Sequence, residues 1–389
     1  MTEYLLIIFA AVVASFLFTY STIPPIVRIS NEKHLFDVPN SRKLNKTVVP
    51  TLGGVAIFIG ICLGSTLFLG KLQFTELRYI FAALLMLFFI GLKDDILIIS
   101  ARKKLLVQMA AAAILVGLGG IQITSLSNLF YFNQISIWLS APLSFMILLF
   151  IINAMNLIDG IDGLAAGISI LVSGVLGTWF YVNGHFEYAI LSLAMSGSLL
   201  AFLRFNLWGG DNKVFMGDTG SLILGGLLGI LVIKFLSFNI VAPSFLKVQN
   251  APAFALALFI VPVTDTLRVF IIRLYQKRSP FSPDMNHVHH LLIQSGMKHI
   301  QASAFLVLYT AFFASFTLAT AAYLSSTVSF LLLLSMSFGA IGLMKRRTDQ
   351  IKLKRDRQIR LTRKILSTGI ALHEDPFRFT ESKKKIYQN

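Results

Sequence analysis

The chain has a single cysteine, Cys62, and it lies inside an apolar run. No disulfide can close within the chain and no thiolate cluster can hold a soft metal, which excludes disulfide scaffolds and cysteine-based metal folds. Charge is scarce as well: 13% of residues are Asp, Glu, Lys or Arg, against 56% hydrophobic. That balance excludes a soluble globular core and points to a polytopic membrane protein. Acidic residues are the rarer kind, 18 against 34 basic, for a net charge of +16. The excess collects in short connections and in the C-terminal tail, so no nucleic-acid partner is expected and membrane orientation explains the charge better. A basic leader is lacking too: after Thr2 and Glu3 an apolar run begins with no small-residue cleavage site behind it. We read it as a retained first span, not a signal peptide.

What the chain has in abundance is apolar length. Eleven runs are candidates to cross about 30 Å of hydrocarbon. They cover 4–24, 52–69, 77–91, 105–120, 137–152, 164–181, 188–205, 221–236, 252–274, 302–324 and 328–343. The expected fold is all-α, a polytopic integral membrane helix bundle. Alternate connections carry the cations: Arg28, Lys33, Arg42, Lys43 and Lys46; then Lys93, Arg102, Lys103 and Lys104; then Lys213; then Lys277, Arg278 and Lys298; then the tail. The opposite set holds little beyond Lys71, Arg78 and Lys247. The first set is therefore cytoplasmic, with the N-terminus outside and the C-terminus inside, which needs an odd number of spans. Residues 1–344 form the membrane domain and 345–389 a basic cytoplasmic tail, expected to lie on anionic lipid headgroups. The outer connection 122–136 is expected to form a short hairpin.

Polar motifs interrupt this pattern, and with the orientation above they all fall on the cytoplasmic side. In NAMNLIDGIDGLAAG (153–167), Asn156, Asp159 and Asp162 recur every third residue, which on a helix would put them on one face. Carboxylates at a membrane helix end are costly and point to function. In GLKDDI, Asp94 and Asp95 are adjacent and repel unless Lys93, Lys103, Lys104 or a divalent ion compensates. In GDNKVFMGDTGS, Asp218 opens the eighth span at a helix N-terminus suited to phosphate. In SRKLNKTVVPTLGG, Lys46 and Thr51 are placed to meet an anion. In RSPFSPDMNHVHHLLI, His287, His289 and His290 cluster near Arg278; His287 and His290 alone are spaced to share a helical face, and no cysteine joins them as zinc ligand. His34, His185, His299 and His373 are isolated and read as solvated loop residues. Hard oxygen donors without thiolates select Mg²⁺, with Mn²⁺ as substitute. One such ion, basic groups and histidines describe a phosphoryl-transfer site. An ion-coupled transporter would instead place its polar site near the bilayer midplane between repeats, and no repeat is visible.

Five ordered motifs, FDVPNSRKLNK with PTLGG, GLKDD with KLLVQ, NLIDGIDGLAAG, FMGDTGS and SPDMNHVHHLL, resemble those of the polyprenyl-phosphate N-acetylhexosamine-1-phosphate transferases. The histidine motif and an eleventh span with a basic tail resemble the undecaprenyl-phosphate GlcNAc-1-phosphate branch more than the phospho-MurNAc-pentapeptide transferases of peptidoglycan synthesis. Met285 and Asn286 depart from the pattern where close relatives often place a basic residue, which bears on sugar choice.

The resemblance implies a bacterial inner-membrane enzyme with its active site on the cytoplasmic face. Its substrates would be a UDP-N-acetylhexosamine and undecaprenyl phosphate, its cofactor Mg²⁺, and its product the first intermediate of a lipid-linked envelope glycan such as O-antigen or teichoic acid. Asp218 would be the principal metal ligand, with Asp159 beside it. Asp94 or Asp95 would orient or deprotonate the lipid phosphate. Asn156 and Asp159, the latter also counted as catalytic, would contact uridine or metal-bound phosphates, supported by Asp162, with Lys46, Thr51 and Lys104 completing the phosphate surface. His287, His289 and His290, assisted by Arg278, would hold the nucleotide sugar. A homodimer belongs to the same set of expectations.

Overall fold

The structure is a computed structural model that describes residues 2–37, 49–70, 72, 74–97, 99–277 and 287–367. Thirteen α-helices are present among the described residues: α1 (Thr2–Glu32), α2 (Gly53–Leu69), α3 (Leu77–Ile96), α4 (Ala101–Ala113), α5 (Ile137–Ile158), α6 (Leu164–Val182), α7 (Phe186–Trp208), α8 (Gly217–Asn239), α9 (Ala251–Leu258), α10 (Ile260–Tyr275), α11 (Val288–Gln294), α12 (His299–Thr320) and α13 (Ser326–Ser367). Two short antiparallel pairs accompany them, β1 (Phe36–Asp37) with β2 (Val49–Pro50) and β3 (Ser125–Leu129) with β4 (Phe132–Gln134). The second pair is the hairpin expected in the outer connection 122–136.

Seven helices are long and apolar enough to cross a membrane: α1, α5, α6, α7, α8, α12 and α13. The chain is a multi-pass membrane protein. The ninth expected span is not one helix. It breaks at Phe259 into α9 and α10, bent by 77°, and counting the pair as one span gives eight. Pro262 supplies the reason, since it has no N–H for the carbonyl of Leu258 and its ring crowds that carbonyl. The remaining expected spans fall on α2, with 17 residues, on α3, whose last turns carry Lys93, Asp94 and Asp95, and on α4, which ends in a five-residue π turn. The last span does not stop where the apolar run does: α13 continues without interruption through the basic stretch to Ser367.

The bundle is organised around α8, which is buried almost throughout its length and packs against α2, α3, α5, α6 and α9. A helix apolar on every face belongs in the middle of a bundle. Gly91 lets α3 approach its N-terminal end: a Cβ there would lie 2.5 Å from the Thr219 Cα. That contact sets Asp94 and Asp95, one turn further along α3, beside the first turn of α8. At the other end Lys234 is buried and reaches Glu76 at 2.8 Å, just before α3. His185 is not a solvated loop residue: its ring stacks on Phe238 at 3.8 Å. His373 lies outside the described residues.

Candidate active site

The site is built at the N-terminus of α8. Residues 213–216 lead into the helix as a non-helical segment stitched to 50–54: the Phe215 N–H donates to Pro50 O (2.8 Å), and the Gly53 and Gly54 N–H groups donate to Phe215 O and Met216 O (both 2.9 Å). Asn206 holds the other side, donating to Val214 O at 2.9 Å and accepting from the Gly163 N–H at 2.7 Å. Gly217 then turns the chain with φ of +68°, and a side chain there would meet the carbonyl of Thr51 and the carboxylate of Asp95. The stitching carries Thr51 to the Asp218 turn. Lys46 and Arg278 lie outside the described residues, as do Met285 and Asn286.

The adjacent aspartates part company, because neighbouring helical positions point about 100° apart. Asp95 turns to α8: its oxygens accept from the Asp218 N–H (2.7 Å), the Thr219 N–H (2.9 Å) and the Thr219 hydroxyl (2.5 Å). A carboxylate so placed satisfies orphan donors of the first turn and complements the helix dipole. Asp94 turns to α4, accepting from the Ile99 N–H at 2.7 Å and from Lys104 Nζ at 2.9 Å. The same ammonium contacts Asp218 Oδ2, so Lys104 bridges α3 and α8. Asn156 completes the group, donating from Nδ2 to Asp218 Oδ1 (2.6 Å) and Ser221 Oγ (2.9 Å).

The expected single face of Asn156, Asp159 and Asp162 is not formed. α5 ends at Ile158, and Asp159 sits past its end with φ of −75° and ψ of 55°. Gly163, at φ of +80°, starts α6. Asp162 turns outward to Lys213, 2.7 Å away, with His299 at 3.9 Å. This pair clamps the two loops of the site together. Asp159 stays in the site, and no hydrogen bond reaches its carboxylate among the described residues. Burial, then the charges of Asp218, Asp95 and Asp162, push its pKa up to about 8.

The three histidines form one cluster, not the pair that spacing suggests. The His287 and His289 rings are parallel at 5.6 Å, and His289 and His290 are 4.3 Å apart. His287 precedes α11, and that break in helical spacing lets all three meet. His289 is buried against Gly160, where an added Cβ would lie 2.3 Å from its Nε2. Burial, then the neighbouring His290, hold the His289 pKa down to about 3, so this ring is a neutral imidazole at pH 7. The histidine cluster and the Asp159 turn are thus one wall.

Among the described residues no three His, Cys, Asp or Glu side chains form a closed metal cage. Mg²⁺ does not need one, since it takes one or two carboxylates and fills its shell with water and substrate phosphate. The donor set fits such an ion: among the described residues Asp159 has no cationic partner, and it is crowded by three other carboxylates.

Sequence comparison bears on the same residues. The model of glycosyl transferase family 4 matches 77–236, which holds α3 to α8 and most of the site. A Bacillus subtilis (strain 168) protein named as a probable undecaprenyl-phosphate N-acetylglucosaminyl 1-phosphate transferase is 34% identical over 290 residues, 73% of this chain and 76% of the relative. The chain belongs to this family. Undecaprenyl-phosphate alpha-N-acetylglucosaminyl 1-phosphate transferases of Escherichia coli O157:H7 and Yersinia pestis are 30% and 29% identical, over 80% and 77% of this chain and 83% and 80% of theirs. In this transferase chain the reading of the motifs missed Lys213, Asn206 and Ser221. It also missed Asp265, which is fully buried in α10. An acidic residue inside an expected span was the available signal for Asp265.

Proposed function

We propose that this transferase moves N-acetylglucosamine 1-phosphate from UDP-GlcNAc to undecaprenyl phosphate at the cytoplasmic face of a bacterial inner membrane. A lipid phosphate oxygen attacks the β-phosphorus of the nucleotide sugar. The bond from that phosphorus to the bridging oxygen breaks, UMP leaves with the electron pair, and undecaprenyl-diphospho-GlcNAc remains in the membrane. The observation that carries the reading is the convergence of Lys104, Asp94, Asp218 and Asn156 at the start of α8, facing the wall of Asp159 and the histidines.

The residues divide by what they touch. Lys104, held between two carboxylates, is the cation for the attacking phosphate, and Asp94 fixes it. Thr51 borders the same anion, and the motif assigns Lys46 to it as well. Asp95 acts on the site through α8, keeping Asp218 in register. Asn156 orients Asp218. Asp218 and Asp159 would hold Mg²⁺, or Mn²⁺ in its place, which supplies neutralisation of the diphosphate. His287, His289 and His290 take the nucleotide-sugar side, to which the motif also assigns Arg278. A phosphate monoester is largely dianionic at neutral pH, so charge neutralisation does more than proton removal, and direct displacement is favoured over an aspartyl-phosphate intermediate. The basic continuation of α13 faces anionic headgroups.

The test is UMP release by purified protein with undecaprenyl phosphate, Mg²⁺ and a panel of UDP-GlcNAc, UDP-GalNAc and UDP-MurNAc-pentapeptide. Release with UDP-GlcNAc is expected. Preference for the pentapeptide donor would move the protein to the sister reaction, and no release with any donor would overturn the proposal.

A further inference from the structure

Asp265 is a carboxylate with no solvent exposure in the second turn of α10, just past the 77° bend. Such a group is costly to keep in a membrane bundle, and an apolar residue of similar volume would pack the helix at lower desolvation cost. Its bonds account for its presence. Oδ2 lies 2.8 Å from His287 Nδ1; Oδ1 accepts from the Val288 N–H at 2.8 Å and lies 3.3 Å from Arg268 Nη2. The carboxylate therefore grips the histidine ring and the backbone that starts α11, the two features that set where His287 stands.

We infer that Asp265 is the positioning residue of the histidine wall, orienting His287 toward the nucleotide sugar. A carboxylate is acceptor-only. Facing Nδ1, it makes that nitrogen the donor and fixes the tautomer in which Nε2, on the far edge of the ring, is the acceptor. His289 cannot stand in, since its burial against Gly160 keeps it neutral. An Asn at 265 has the same shape but one acceptor. If its oxygen takes the Val288 N–H, its amide faces Nδ1, and the ring is driven to the opposite tautomer.

The inference rests on the UDP-sugar transferase reading, and the experiment separates the two. UMP release is measured for wild type, Asp265→Asn, His287→Ala and the double variant, varying UDP-GlcNAc and undecaprenyl phosphate in turn. Asp265→Asn is expected to lower kcat/KM for UDP-GlcNAc by about 10- to 100-fold, with KM for the lipid unchanged. In the His287→Ala background the same substitution should have little further effect, because its route of action is gone. Effects that multiply, or a loss shared equally by both substrates, would reduce Asp265 to a folding role and overturn the inference. Should the Asn variant fail to assemble, Asp265→Glu, which keeps the charge but lengthens the arm, serves in the same cycle with the same two outcomes. Absence of UMP release by wild type would instead strike the underlying reading.

Discussion

Asp95 takes both hydrogens that Thr219 offers, the backbone N–H at 2.9 Å and the hydroxyl at 2.5 Å. Its neighbour Asp94 is tied to Lys104. One of the paired aspartates therefore secures a helix and the other holds the Lys104 ammonium. We expect Asp95→Asn to lower unfolding stability by about 1–3 kcal/mol, since an amide cannot accept all three donors of the α8 terminus. Asp94→Asn should leave the melting temperature nearly unchanged while lowering kcat by about 100-fold. Thermal unfolding in detergent beside UMP release checks both. Equal stability losses in the two variants would contradict the division.

Asp159 predicts a stability gain from a disabling mutation. Its pKa stands raised at about 8, so between its ordinary range and pH 8 the folded state binds more proton than the unfolded state. Stability from this group is therefore present at low pH and is lost as pH rises through about 8. Asp159→Asn, with chelator present, should stabilise the protein at pH 9 by on the order of 1–3 kcal/mol and have little effect at about pH 4, below which both states hold the proton. The same variant should lose activity at every pH. Melting curves at the two pH values decide, and a gain independent of pH would be inconsistent with carboxylate crowding.

Gly160 and His289 touch so closely that a methyl group between them has no room: the added Cβ would lie 2.3 Å from Nε2 and 2.8 Å from Cε1. Gly160 has no left-handed φ, so Gly160→Ala tests that contact without backbone strain. Displacing the imidazole should raise KM for UDP-GlcNAc by about tenfold and cost about 1–2 kcal/mol of stability. KM for undecaprenyl phosphate should stay the same. A shift in the lipid KM with none in the nucleotide KM would place the histidines on the wrong side of the site.

Each apolar run met a helix because hydrophobic length is a local property that no tertiary contact needs to supply. The break at Phe259 was legible too, in Pro262, but a count of apolar residues passes over a single proline. The Asp159 turn was misread for the converse reason. Three-residue spacing describes a face only if the helix continues, and the glycines of DGIDG end it. Asp94 and Asp95 look equivalent in sequence; only the contact of Gly91 with Thr219 assigns one to each neighbour. Asp265 was hidden because one carboxylate scarcely lowers the hydropathy of a span, and its partner His287 is 22 residues away.

Lys234 and Glu76 form an ion pair at the opposite end of α8 from Asp218, about 24 Å along the helix by its rise per residue. Lys234 is 7% exposed, its Nζ lies 2.8 Å from Glu76 Oε1, and the Tyr188 and Phe238 rings flank it at 5.6 Å. The partners are not equivalent, for Glu76 keeps 28% side-chain exposure. Glu76→Gln leaves a buried ammonium without its counter-charge and should cost about 1–3 kcal/mol, less than a fully buried pair because of that exposure. Lys234→Met leaves a carboxylate that water can reach, and should cost less. Combining it with Glu76→Leu should bring stability back near wild type, because two apolar groups need no compensation. In all three variants kcat/KM for UDP-GlcNAc should be unchanged once the folded fraction is corrected for. A double variant as unstable as Glu76→Gln would mean that the pair holds α8 in place by more than charge balance.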